Sequence, residues 1–334
     1  MLTSRQFVAV FGVTGVLLAV AGCARSQHSA DEKYYLVATN IKLPYWQSAL
    51  GGLRRAAGDL NVAAQLVGPE TYDPKAQQAE FLNLLHRDPK PSGILVSPAD
   101  PALMGSDIEA AMRQGIPVIT VDSDAAASQR LLFIGTDNYK AGTMGGQLTA
   151  KLLQGRGNVV IMGMPEQLNL SQRLRGYQDA FASHPQIKVL QVVNIKGDPV
   201  VAFDSTKELL ASNTKVDAFV CLEAIACPEV AEVVNRNKLT GKIVIVAMDT
   251  DQRTLEGIQK GWIAATVGQR PFTMAYHGVM LLDRFHHHPL KPLIADWAHD
   301  PMSPIPVFVD TGATMIDKSN LSGFLTPTQA STGF

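Results

Sequence analysis

Two aspartates at matching places in a repeated pattern carry the clearest chemical signal in this sequence. Asp122 follows Pro117-Val118-Ile119-Thr120-Val121, and Asp249 follows Ile243-Val244-Ile245-Val246-Ala247-Met248. Each opens an acid–hydroxyl–acid triplet, Asp122-Ser123-Asp124 and Asp249-Thr250-Asp251. A carboxylate so placed can accept hydrogen bonds from neighbouring hydroxyls of a ligand. A carboxylate pair could also cleave a glycosidic bond. A strand-end Asp can equally cap the helix that follows; that reading is taken for Asp124 and Asp251, and ligand contact for Asp122 and Asp249.

Other reactive residues point less clearly to chemistry. Cys221 and Cys227 are six apart across a strand-to-helix junction, so they form either a disulfide or two buried thiols. They lack the partners of a structural zinc site. His286-His287-His288 ends a predicted helix just before Pro289. Consecutive residues do not share a helix face, so these histidines read as a solvated helix end. Neither a metal nor a cofactor is expected, and no nucleophile motif or phosphate-binding loop is present.

The elements that position these residues alternate regularly. Strands are expected at Tyr34–Thr39, Val62–Val67, Gly93–Ser97, Pro117–Val121 and Leu131–Gly135. A second set follows at Asn158–Gly163, Lys188–Val193, Ala218–Leu222, Ile243–Met248 and Ala264–Gly268. Between them lie helices such as Tyr45–Gly58, Lys75–Arg87, Tyr139–Gln154, Ser171–Ser183, Phe203–Ser212, Glu229–Asn237 and Phe272–His287. Strands without polar alternation, separated by helices, are buried parallel strands. The expected fold class is α/β, with two doubly wound, Rossmann-like parallel-sheet lobes. In such sheets ligands sit beyond the carboxyl ends of the strands, which places Asp122 and Asp249 at a cleft between lobes.

The N-terminus addresses the chain to export. Arg5 precedes Phe7–Val20, fourteen residues without a charge, the length of a signal h-region and short for a membrane span. Val20-Ala21-Gly22-Cys23 resembles the lipobox of bacterial lipoproteins, which makes Cys23 the lipidated first residue of the mature protein. Residues 1–22 are then a signal peptide, and 23–33 a tether of small polar residues. Lys plus Arg number 29 against 30 Asp plus Glu, which excludes a nucleic-acid binder that relies on a basic surface. With 334 residues, 46% of them hydrophobic, the chain is long enough for two folded domains and too apolar for disorder.

Several segments together resemble the type I periplasmic binding proteins, in particular the ribose-binding-protein-like sugar-binding family. They are Leu43-Pro44-Tyr45-Trp46 at the first helix, Gly93–Pro98, Ile116–Asp122, Ile134–Asn138, Arg173-Leu174-Arg175-Gly176 and Val267-Gly268-Gln269. The resemblance runs from about Tyr34 to Ile316. It implies a hinge of three crossings between an N-terminal lobe of 34–135 plus 270–303 and a C-terminal lobe of 136–269 plus 304–316, with a tail at 317–334.

The resemblance also implies ligand-binding roles. Tyr45 and Trp46 would lay aromatic faces on a sugar ring, although either could be a plain core aromatic. Arg173 would present its donor fork to a ring oxygen and a hydroxyl, while Arg175 reads as a surface residue. Gln269 both donates and accepts; Ser97 and Thr136 are weaker candidates at strand ends. Glu223 either contacts ligand or caps the next helix. Departures disfavour ribose itself: Ser123 stands where the ribose-binding branch has an Arg, and Leu43 and Leu222 each replace an Asn. Gly197 falls where an aromatic would complete the ring sandwich.

The expected function is that of a monomeric, lipid-anchored receptor, binding a monosaccharide or polyol for an ABC transporter permease. An amine-bearing sugar or amino-cyclitol is the alternative ligand on charge grounds. A sensor presenting a bound sugar to a signalling partner is the alternative role. An enzyme is not expected, and a transcription factor is excluded by the export signal.

Overall fold

This computed structural model of the chain describes residues 28, 29, 31–212 and 214–325. The expected signal peptide, Cys23 and residues 326–334 lie outside the described residues. Among the described residues no helix is long and apolar enough to cross a membrane.

Two six-stranded sheets organise the chain. The first holds β1 (Lys33–Val37), β2 (Ala63–Val67), β3 (Gly93–Val96), β4 (Val118–Val121), β5 (Phe133–Gly135) and β11 (Phe308–Asp310), in the order β11-β5-β4-β3-β1-β2. The second holds β6 (Arg156–Gly163), β7 (Gln186–Asn194), β8 (Ala218–Cys221), β9 (Val244–Met248), β10 (Ala265–Gly268) and β12 (Thr314–Asp317), in the order β12-β10-β9-β8-β6-β7. The two orders match strand for strand, as the repeated sequence pattern requires. All pairings are parallel except β10–β12. Each sheet therefore reverses its order between its first and third strands, the place where a crevice opens at the strands' carboxyl ends.

Helices cover both sheets, and aspartates start several of them. α2 (Pro74–Leu85), α3 (Pro101–Arg113) and α6 (Pro199–Ala211) begin at Asp-Pro pairs, where the Asp accepts backbone N–H bonds and the Pro takes the first helical position. α1 (Pro44–Leu60) and α9 (Pro271–His287) pack on the first sheet. α4 (Asn138–Leu152) and α5 (Leu168–Ala182) lie together in the second half of the fold. Their backbones approach so closely that a Cβ on Gly142 would strike the Arg173 carbonyl, and one on Gly176 would strike the Tyr139 carbonyl. α7 (Ala226–Arg236) and α8 (Gln252–Lys260) complete the second core.

Some expected boundaries change. The reading that gave residues from 304 onward to the C-terminal lobe is corrected: Phe308–Asp310 pairs with β5 in the first sheet, and the chain crosses to the second sheet only before β12. These two strands were not legible because they are short, and β11 is largely exposed. The expected tail from 317 also starts later. Leu321 is buried in the second core, and α10 (Ser322–Leu325) follows it.

Candidate functional site

The carboxyl ends of both sheets face a shared cavity of about 560 Å³, its open mouth included. From the first sheet come Thr39 and Asn40 after β1, Tyr45 on α1, Tyr72 after β2, and Asp122 after β4. From the second come Gln167, Asn169 and Arg173 at α5, Gly197, Glu223 after β8, Asp249 after β9, and Gln269 after β10.

Asp122 and Asp249 are the acceptors at its centre. Asp122 Oδ1 accepts from the Tyr45 hydroxyl at 2.8 Å, and Oδ2 accepts from Ser97 Oγ at 3.0 Å and Asn169 Nδ2 at 3.4 Å. The Asn169 bond joins one half of the fold to the other. Asp249 Oδ1 accepts from Gln269 Nε2 at 2.9 Å. Burial raises both carboxyls above the usual aspartate range, Asp249 to about 6, while the Arg173 charge pulls the other way.

Arg173 is held from three sides. Its Nε donates to Asn138 Oδ1 at 2.9 Å, one terminal nitrogen to the Leu222 carbonyl at 2.8 Å, and the other to Gln269 Oε1 at 2.8 Å. The close approach of α4 and α5 at Gly142 and Gly176 is what brings its backbone beside Asn138. Such a guanidinium is fixed before any ligand arrives.

Glu223 takes the capping role, one of its two expected readings. Its two oxygens accept from the N–H groups of Ile225 and Ala226, capping the start of α7, and the side chain also borders the cavity. Burial pushes its carboxyl up to about 7. A disulfide joins Cys221 to Cys227 and closes the loop that carries Leu222 and Glu223.

Of the nine residues expected to bind ligand, Tyr45, Asp122, Arg173, Glu223, Asp249 and Gln269 border the cavity. Three others stand elsewhere. Trp46 is buried behind Tyr45 and donates from Nε1 to Thr39 Oγ1 at 3.1 Å, because adjacent helical residues point about 100° apart. Ser97 is fully buried and reaches the cavity only through Asp122. Thr136 is buried with its hydroxyl unbonded, beside a separate cavity bordered by Phe133, Tyr139 and Phe308. Among the caps, Asp251 accepts from Arg253 and Thr254 N–H as expected. Asp124 is a correction: it caps no helix, and instead makes a two-pronged ion pair with Arg130 at 2.7 Å.

Asn169, Gln167 and Tyr72 were missed. They sit at a helix start and in a loop, where hydrophobic periodicity gives no signal. Gly197 held the one available hint. A Cβ there would lie 2.6 Å from Tyr72 Cβ, so the aromatic missing at 197 leaves room for an aromatic from the opposite half.

This geometry has close parallels. The periplasmic binding protein domain matches residues 34–285. The chain belongs to that family. The ribose import binding protein of Haemophilus influenzae is 27% identical over 273 residues, covering 81% of this chain and 90% of that one. A solute-binding protein of an ABC transporter from Burkholderia graminis, solved with D-arabinose, superposes with a TM-score of 0.80 at 26% identity, over 89% of this chain and 98% of that one. AraP, an arabinose-binding protein of Geobacillus stearothermophilus, reaches 32% identity and a TM-score of 0.74, over 89% and 100%. This periplasmic binding protein is of the ribose-binding-protein-like type I class, a binding protein and not an enzyme. Family membership places it outside the cytoplasm.

Proposed function

We propose that this is the substrate-binding lipoprotein of an ABC importer, which takes a monosaccharide or related polyol into the cavity and closes over it about a three-crossing hinge. The observation that carries this reading is the ring of hydrogen-bonding groups drawn from both sheets: Asp122 on one side, and Asn169, Arg173, Asp249 and Gln269 on the other. Three of the five Arg173 N–H groups are used to hold it, leaving two for a sugar. Tyr45 and Tyr72 supply aromatic surface. Ligand that touches both halves favours the closed arrangement, which is what a permease can recognise.

A neutral ligand fits better than an amine-bearing one. Both Glu223 oxygens already serve backbone N–H groups, and burial pushes that carboxyl up to about 7, toward its neutral form. That leaves Asp122 and Asp249 against Arg173, with both aspartates shifted toward the neutral form.

A thermal-shift panel of pentoses, hexoses, polyols and amino sugars tests the proposal. A ligand at a hundred times its Kd adds about 2.7 kcal/mol, or roughly 4 °C in Tm for a chain of 334 residues. A shift of that order with one stereochemical class of sugar or polyol is expected; a folded protein silent to the whole panel contradicts it. Attachment through Cys23 is tested separately, since radiolabelled palmitate should enter the wild-type protein and not Cys23→Ala.

A further inference from the structure

Far from the sugar cavity, four side chains converge where the segment before β1 meets the end of α9. They are His28 and Glu32 on one side, and Asp283 and His287 on the other. His28 Nε2 lies 3.0 Å from Asp283 Oδ1, and His287 Nε2 lies 3.1 Å from Glu32 Oε2 and 3.6 Å from Asp283 Oδ1. The four side chains are only 8–20% exposed. This corrects the solvated-end reading for His287, while His286 and His288 do stay exposed.

We propose that these four residues form a binding site for a divalent transition metal of the zinc class. One ligand atom from each residue lies within 4.8 Å of all the others. A tetrahedral zinc with bonds of about 2.0–2.2 Å sets its ligand atoms about 3.4 Å apart, so the three close pairs already bracket that geometry. Two imidazoles with two carboxylates suit zinc, and they exclude calcium, which takes six to eight oxygens. Outer partners are in place as well. The Ser29 N–H donates to Glu32 Oε1, which leaves Oε2 facing His287, and the Tyr34 hydroxyl donates to Asp283 at 3.0 Å. Among the described residues, the ion pairs of Glu32 and Asp283 run only to these imidazoles. A bound ion replaces those contacts with a cross-link, and it clamps the end of the N-terminal segment to the first lobe.

Calorimetric titration of the purified protein with zinc chloride tests the site. The expected result is one saturable equivalent, a zinc-dependent rise in Tm, and no binding of calcium. His28→Ala and His287→Ala should each weaken zinc at least about tenfold, while folding by circular dichroism is kept. The exposed pair variant His286→Ala/His288→Ala should bind as wild type does. Absence of a saturable equivalent overturns the proposal. So does unchanged affinity in a folded His28→Ala/His287→Ala protein, which would assign the zinc to surface histidines.

Discussion

Asp122 and Asp249 occupy one position of the fold, built twice. Each follows the last residue of its strand, and each holds a left-handed φ, 62° and 70°. The Asp122 N–H donates to the Ile134 carbonyl at 3.0 Å, and the Asp249 N–H donates to the Val267 carbonyl at 2.9 Å. A left-handed residue other than glycine costs on the order of 1–2 kcal/mol, and it is kept here where it turns a carboxyl into the cavity.

Arg173 joins binding to folding. Its removal leaves the Asn138, Leu222 and Gln269 acceptors unpaired, and hydrogen bonds to a charged group are worth about 1.5–3 kcal/mol each. Arg173→Ala should abolish sugar binding and lower Tm by several degrees. Arg173→Lys should bind no better but recover part of the Tm. A variant with wild-type Tm and affinity would remove Arg173 from the site.

Stability should rise on mild acidification. Asp249 and Glu223 titrate near 3.8 and 4.5 when unfolded, and are pushed up to about 6 and about 7 in the fold. Between those values the folded protein holds protons that the unfolded chain has released. Their contribution is therefore full below about pH 4 and lost as pH rises through 6 and 7. The sugar-free protein should melt higher at pH 5.5 than at pH 7.5, and Asp249→Asn should flatten the difference. Sugar affinity should move the other way, since a protonated carboxyl loses acceptor capacity.

Gly197 and Tyr72 meet across the cavity, and there is no room for a side chain at 197. Gly197→Ala also forces alanine to a φ of 70°. Sugar affinity should fall at least about tenfold, the scale of a misplaced contact worth 1.4 kcal/mol. Tyr72→Ala keeps the Cβ that a side chain at 197 would strike and also loses aromatic surface, so the double variant should bind no better than Tyr72→Ala alone. Calorimetry on the three proteins decides this.

Much of this fold was legible because buried parallel strands and their helices carry strong periodic signals, and the ten strands expected from sequence all recur. The site was legible where it coincides with strand ends, as at Asp122, Asp249 and Gln269, and on helices only where the family resemblance pointed, as at Tyr45 and Arg173. Which way a side chain turns was not. Trp46 and Ser97 support Tyr45 and Asp122 from behind, and Thr136 faces another cavity. Asp124 was misread because its partner Arg130 lies in an irregular segment, and an ion pair there has no periodic signature.

The Cys221–Cys227 disulfide braces the loop that offers the Leu222 carbonyl to Arg173 and holds Glu223. Closing so short a loop adds about 2 kcal/mol by the chain-entropy estimate. Cys221→Ser/Cys227→Ser, or reduction of the wild type, should lower Tm by about 3 °C and weaken sugar binding. Unchanged melting under reducing conditions would deny the bridge a structural role.

The most direct test of the sugar-receptor account is calorimetric titration of the best panel sugar into the wild type, Asp122→Asn and Asp249→Asn. The expected result is one sugar per protein for the wild type, and a loss of at least about tenfold in each variant with the fold retained. Wild-type affinity in both variants would contradict the account, because the sugar would then bind somewhere other than between the paired aspartates.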